Sequence, residues 1–308
     1  MSMRSTTILI AAAFVFFWNS GFIGAEYGLP YARPFTFLFW RYAGVTLVIT
    51  LYLLARNRLR LVKPGVALAN SMVGILAHGV WLACVLLALD NGVPAGIVAL
   101  VVALQPLATG ALSGIVTGEP TPLYRWMGLV LGFAGVALTV TARMDFNSTA
   151  SIFGYLIPFG SALSMTAATL VQRRLVIWDR AYRLPVDLAL FYQGLGTVLV
   201  LAVPAVLWEG LATSWETPFV WTLAWLVVAV SVGAYALMWM LVSRMDATRV
   251  ASLFYLGPPV TMLMAWVAFG DTLQVFDVVG LAVVLSGVLL TYSQMPGNSV
   301  YKQKRIDR

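Results

Sequence analysis

The twelve residues 95–106 read AGIVALVVALQP, and the twelve residues 247–258 read ATRVASLFYLGP. Both fit A-x-x-V-A-x-x-x-x-L-x-P, and they stand 152 positions apart. At that offset, 95–140 and 247–292 share thirteen identities without a gap. They run from Ala95/Ala247 through Pro106/Pro258 and Gly118/Gly270 to Gly135/Gly287 and Thr139/Thr291. The same offset keeps an acid after the glycine (Glu119 and Asp271), sets Phe39-Trp40 on Phe191-Tyr192, and sets Gly44 on Gly196. Such self-similarity marks an internal repeat.

Composition says what the repeat is made of. Of 308 residues, 61% are hydrophobic and 10% charged. Soluble chains have about 45–50% and 25%, so a soluble fold would lack the polar surface to cover its core. A single cysteine, Cys84, excludes a disulfide scaffold and reads as a packing residue. The hydrophobicity excludes disorder. The net charge is +7, but the basic residues form no single soluble patch, so nucleic acid is not read as a partner.

A bilayer core of about 30 Å takes roughly 20 apolar residues per helix. Ten runs of that kind are present: 6–26, 34–54, 66–89, 94–117, 123–142, 152–172, 188–208, 219–243, 248–269 and 275–293. Continuous runs favour helices over the short alternating segments of a barrel. With the N-terminus in the cytoplasm, sixteen of the nineteen Lys and Arg fall on inside segments and only Arg33 and Arg143 outside. The chain is therefore read as an all-α polytopic membrane protein with ten transmembrane helices. Residues 1–143 and 144–295 form two five-helix repeats, and 296–308 form a basic cytoplasmic tail facing anionic lipid. Five is odd, so the second copy enters the membrane inverted, as in many secondary transporters. The apolar run of the first helix is longer than that of a signal peptide, and no good cleavage site follows it.

Ten helices as 5+5, the A-x-x-V-A-x-x-x-x-L-x-P run, and Gly followed by Glu or Asp closing it resemble the EamA-type branch of the drug/metabolite transporter superfamily. The resemblance covers residues 6–293. Trp18-Asn19-Ser20-Gly21 sits where that family often has a Trp-Gly pair, while Met165 departs from an aromatic residue common in helix 6. With His78 and an aromatic interior, the chain is similar to the YddG-like exporters of aromatic and other neutral amino acids. The resemblance implies export of such solutes across the inner membrane by alternating access, without a cofactor.

Depth, at 1.5 Å per residue, selects the candidate site. Trp18 and His78 lie about 18 Å in, Gln105 about 16 Å, Pro258 about 15 Å and Met165 about 20 Å. His78 is the only histidine, and Trp81 shares its face. The imidazole either binds solute, or a proton, or is a neutral ring bonded to a neighbouring helix. Asn19 and Gln105 either bridge helices or line the cavity. Tyr235 and Tyr255 are the matching aromatics of the second half. Arg41, about 10 Å below the outer surface, either snorkels, pairs with Glu26, or meets a substrate carboxylate; the pair with Glu26 is the leading expectation. Pro106, Pro258 and Pro259 are expected to bend helices 4 and 9, either as hinges or as static kinks that shape the cavity.

Trp208, Trp215, Trp221 and Trp225 read as an interfacial belt. Gly128, Gly132 and Gly135 allow close approach, first of all to Gly280 and Gly287 of helix 10, with a homodimer as the alternative to a monomer. An intramembrane enzyme is disfavoured: there is no H-E-x-x-H, no G-x-S-x-G and no donor set for a metal. A channel would want a charged or carbonyl-lined pore. The set of candidates has no Lys or Arg cluster at mid-depth, which argues for a small neutral solute over a polyanion.

Overall fold

A computed structural model describes residues 3–91, 93, 98, 101–141, 152–178, 182–269 and 275–292. The regular structure of the described residues is helical, apart from one isolated bridge between Ala32 and Thr213. The helices are α1 (Met3–Gly28), α2 (Pro34–Ala55), α3 (Pro64–Gly74), α4 (Trp81–Asp90), α5 (Gln105–Thr117), α6 (Leu123–Thr141) and α7 (Ile152–Trp178). They continue with α8 (Val186–Leu207), α9 (Thr217–Trp225), α10 (Tyr235–Arg244), α11 (Ala247–Ser252), α12 (Gly257–Phe269) and α13 (Val275–Tyr292). Eight helical rods among the described residues are long and apolar enough to cross a membrane. α6 carries a shorter apolar run, Leu123–Leu138. Most of the expected fourth span before Val101, the 142–151 linker and the 296–308 tail lie outside the described residues.

The punctuation follows elementary rules. Pro34, Pro64 and Pro218 stand in the first turn of α2, α3 and α9, where a missing N–H has no partner to lose. Gly118 ends α5 with φ +69°, a left-handed conformation that glycine adopts without strain.

Two rods change winding at mid-length. Ile75–Val80 links α3 to α4 as a wide π-helical stretch, and Leu226–Ala234 links α9 to α10 in the same way. Shifted by 152, the first stretch falls within the second. The expected fourth and ninth spans tighten instead, with a turn at 103–104 and a 3₁₀ stretch at Leu253–Leu256. These are the places where the prolines are expected to bend the two spans. Pro106 is the second residue of α5, and Pro258 and Pro259 lie in the first turn of α12. The tightening precedes the prolines, so each stands where a helix restarts and not in the middle of an unbroken one.

Segments of the first half pack on the second. α2 lies on α8, α3 on α8, and α4 on α7; α5 meets α7 and α11, and α1 meets α9, α10, α12 and the 226–234 stretch. α6 and α13 form the closest pair. A Cβ on Gly128 would stand 2.6 Å from the Gly287 carbonyl oxygen, and one on Gly135 would stand 2.9 Å from that of Gly280. As one number rises the other falls, so α6 and α13 run antiparallel. The glycine face of α6 is thus spent on its own chain.

Side chains tie the halves together at both ends. At the end with most of the described Lys and Arg, Glu119 receives Arg173 through both oxygens at 2.6 and 2.9 Å. Arg173 also donates to the Val242 carbonyl at 2.9 Å. Arg125 pairs with Asp246 at 2.9 Å and Arg58 with Asp187 at 2.8 Å. At the opposite end the Glu209 carboxylate accepts the N–H groups of Phe35 and Thr36 at 3.1 and 2.6 Å, complementing the positive N-terminus of α2. Trp40 Nε1 donates to Thr213 Oγ1 there at 3.0 Å. Trp208, Trp215, Trp221 and Trp225 are all exposed near this end, as a belt at the membrane surface requires.

Candidate functional site

The centre of the bundle is an aromatic cluster assembled from both halves. Trp18 of α1 lies 5.3 Å from Trp81, 4.8 Å from Tyr235 and 5.0 Å from Phe254, ring centre to ring centre. Tyr235 is edge-on to His78 at 3.9 Å, and Tyr42 stands 5.2 Å from the same imidazole. Trp18, His78, Trp81 and Tyr235 are buried. The two wide turns deliver these residues: His78 is inside the first, Trp81 follows it, and Tyr235 follows the second. The Tyr235 hydroxyl donates back to the Ala77 carbonyl at 2.7 Å, which fastens one turn to the other. Wide turns of this kind recur at functional positions.

His78 is oriented by Gln193 of α8. Trp239 Nε1, which can only donate, lies 2.8 Å from Gln193 Oε1, so that oxygen is an acceptor. His78 Nε2 lies 3.3 Å from the same oxygen and must therefore carry the proton. The Nδ1 lone pair and Gln193 Nε2 are then left buried without a protein partner among the described residues.

Gln105 and Met165 occupy the facing walls of α5 and α7. Gln105 Nε2 donates to Thr109 Oγ1 at 3.1 Å, and Thr166 Oγ1 donates to the Gln105 carbonyl at 3.2 Å. Gln105 Oε1 is buried with no protein partner. Met165 belongs to the same apolar core as Trp18 and Trp81. Asn19 is a bridge: its Nδ2 donates to the Val15 carbonyl at 2.6 Å and its Oδ1 accepts from Thr261 at 3.2 Å. Tyr255 joins the core at some remove, its ring against Gly132 of α6.

Arg41 is buried, and its Nε donates to Ser231 Oγ at 2.7 Å. The side chain of Glu26, its expected partner, lies outside the described atoms. Sequence reasoning passed over Gln193, Trp239, Tyr42, Phe254 and Ser231. One signal was available: the 152 offset that pairs Trp40 with Tyr192 also pairs Arg41 with Gln193. The structure uses the two alike, Arg41 reaching Ser231 on one side and Gln193 reaching His78 on the other.

A cleft of about 680 Å³ also opens sideways between α1, α9 and α12, lined by apolar groups such as Phe16, Trp225 and Leu263. None of the central residues borders it.

The EamA-like transporter family model matches the chain twice, over residues 5–141 and 152–293. The chain belongs to this family. A transporter of Bacillus subtilis, YvbV, is 26% identical over 296 residues, covering 93% of this chain and 92% of that one. A probable amino-acid metabolite efflux pump of Salmonella typhimurium is 22% identical over 287 residues, covering 91% and 93%. A crystal structure at 20% identity superposes with a TM-score of 0.75, covering 94% of this chain and 97% of the other, which shows the shared fold. The EamA-family chain described here is thus a multi-pass membrane transporter, with two copies of the family unit in one polypeptide.

Proposed function

We propose that this EamA-family chain is an alternating-access carrier exporting small neutral amino acids, aromatic ones included, across the inner membrane. The observation that carries the reading is the central cluster. Trp18, His78 and Trp81 from one half meet Tyr235, Phe254 and Trp239 from the other, with Gln193 holding the imidazole. Flat apolar faces beside a few fixed polar atoms suit an amino acid with an apolar side chain. The efflux pump of Salmonella typhimurium is named for related solutes.

The carrier consists of ten helices in two inverted repeats, 1–143 and 144–295, with both termini in the cytoplasm. The α6–α13 contact supports this. Gly128 on Gly287 and Gly135 on Gly280 exchange under the 152 offset, and an antiparallel pair puts their two-fold axis across the helices. The repeated wide turns at 75–80 and 226–234 agree. Two inverted halves sharing one mid-membrane site can trade conformations, which opens that site to either side in turn. Restarted helices at Pro106 and Pro258 supply places where α5 and α12 can tilt. Substrate and lipid are the only partners required, and no cofactor is needed.

His78→Ala and Trp81→Ala are expected to lower saturable phenylalanine flux in proteoliposomes about tenfold each at parental insertion. That is the scale of one lost hydrogen bond or ring contact of about 1.4 kcal/mol. Parental flux in both variants would reject this site, and transport of sugar phosphates alone would reject the substrate class.

A further inference from the structure

Arg41 lies seven residues into α2 and is 4% exposed. Its one hydrogen bond among the described residues goes from Nε to the neutral hydroxyl of Ser231. The other paired arginines are satisfied differently: Arg58, Arg125, Arg173 and Arg249 each face a carboxylate. No carboxylate among the described side chains contacts Arg41. A cation withdrawn from water calls for more compensation than the one hydroxyl found among the described residues. Among the described residues no bond is found from the terminal nitrogens of the guanidinium, whose fork of donors suits a carboxylate.

Its position gives that fork a purpose. Ser231 lies in the wide turn and precedes Tyr235, which follows that turn, by four residues, so the two lie on neighbouring parts of one face. Tyr42 follows Arg41 in α2 and stands 5.2 Å from His78. The guanidinium carbon is 5.8 Å from the Tyr42 ring centre. Arg41 therefore borders the aromatic cluster, and it comes from the half-turn of α2 equivalent to the one that supplies Gln193.

We propose that Arg41 is the carboxylate-binding residue of the transport site. The solute's carboxylate takes the terminal nitrogens of Arg41 while its apolar side chain lies on Trp18, Trp81 and Tyr235. The inference rests on the neutral amino-acid reading, because an amino acid with no net charge still carries a carboxylate that must be matched.

Calorimetric titration of the purified full chain in nanodiscs tests it with three probes: phenylalanine, 3-phenylpropionate and phenylethylamine. The parent is expected to bind phenylalanine and phenylpropionate at least about tenfold more tightly than phenylethylamine, which has no carboxylate. Arg41→Gln is expected to remove that preference, Arg41→Lys to keep part of it, and Glu26→Gln to leave it unchanged. A thermal melt checks that each variant is folded. Parental affinity of folded Arg41→Gln for phenylalanine would overturn the proposal. So would equal binding of all three probes by the parent. Loss of thermal stability in both Arg41→Gln and Glu26→Gln with unchanged ligand preference would also overturn it, by assigning Arg41 to an ion pair. Arg41-dependent binding of phenylpropionate without amino-acid transport would uphold this site and reject the substrate reading instead. Equal amino-acid transport by parent and Arg41→Gln would do the reverse.

Discussion

Gly74→Ala is expected to break the contact between α3 and α8, whereas Gly79→Ala, little more than one turn away, is expected to be nearly silent. A Cβ on Gly74 would fall on the backbone of Gln193, meeting its carbonyl oxygen, Cα and carbonyl carbon well inside contact distance. Backbone atoms cannot rotate away as a side chain can, so one helix must move. A Cβ on Gly79 would meet only Thr197 Cγ2, at an ordinary 3.7 Å. Overpacking of a tight interface costs about 1–3 kcal/mol. The displaced residue is the one that orients His78, so function should fall along with stability. Size-exclusion melts in detergent, compared with phenylalanine flux, check both. Equal melting of the two variants would mean that α3 and α8 do not meet at Gly74.

Gln193→Leu is expected to cost as much through chemistry as Gly74→Ala does through space. Gln193 Oε1 accepts from both His78 Nε2 and Trp239 Nε1. All three side chains are buried. Leucine fills similar volume but leaves two donors in an apolar core, at about 1–3 kcal/mol for each. Removing a donor along with the acceptor should restore part of the loss, since paired apolar replacements are far milder than orphaned groups. Gln193→Leu/Trp239→Phe should therefore melt above Gln193→Leu alone. If the double variant melts lower than the single one, the shared acceptor is not what holds this group together.

Much of the fold could be read from the sequence because a bilayer demands long apolar runs. Eight of the ten expected spans return as helical rods with ends near those read from hydropathy and proline punctuation. The Gly128-Gly132-Gly135 face could also be read, because glycine spacing is a local pattern and its partner carries Gly280 and Gly287 152 residues on from Gly128 and Gly135. The winding changes could not. ILAHGV at Ile75–Val80 and LVVAVSVGA at Leu226–Ala234 contain no residue that demands a wide turn. Tertiary packing decides there, and the repeat becomes visible only when the two segments are compared. The prolines could be placed, but not the winding beside them: a proline in an apolar run reads as a kink, and Pro106 and Pro258 each follow a tightened turn that no residue before it announces.

The candidate site was half legible. Mid-membrane depth brought out Trp18 and His78, helix-face spacing added Trp81, and correspondence between the halves added Tyr235; the fold gathers these four. Depth gives no azimuth, so it could not separate Asn19, which bridges α1 to α12, from the cluster beside it. Nor could it find Gln193, 115 positions from His78, or Ser231, 190 positions from Arg41. Such pairings depend on which helix faces which.

Counterflow in proteoliposomes discriminates most directly between a carrier with one alternately exposed site and a pore. Vesicles containing the full chain are preloaded with unlabelled phenylalanine, and entry of labelled phenylalanine is followed at rising external concentration. An alternating-access site gives saturable entry that is faster with unlabelled solute inside, because the loaded site returns more readily than the empty one, and His78→Ala slows both phases. Entry that rises linearly with concentration, is indifferent to internal solute and is unchanged in His78→Ala would contradict both the carrier mechanism and the central site.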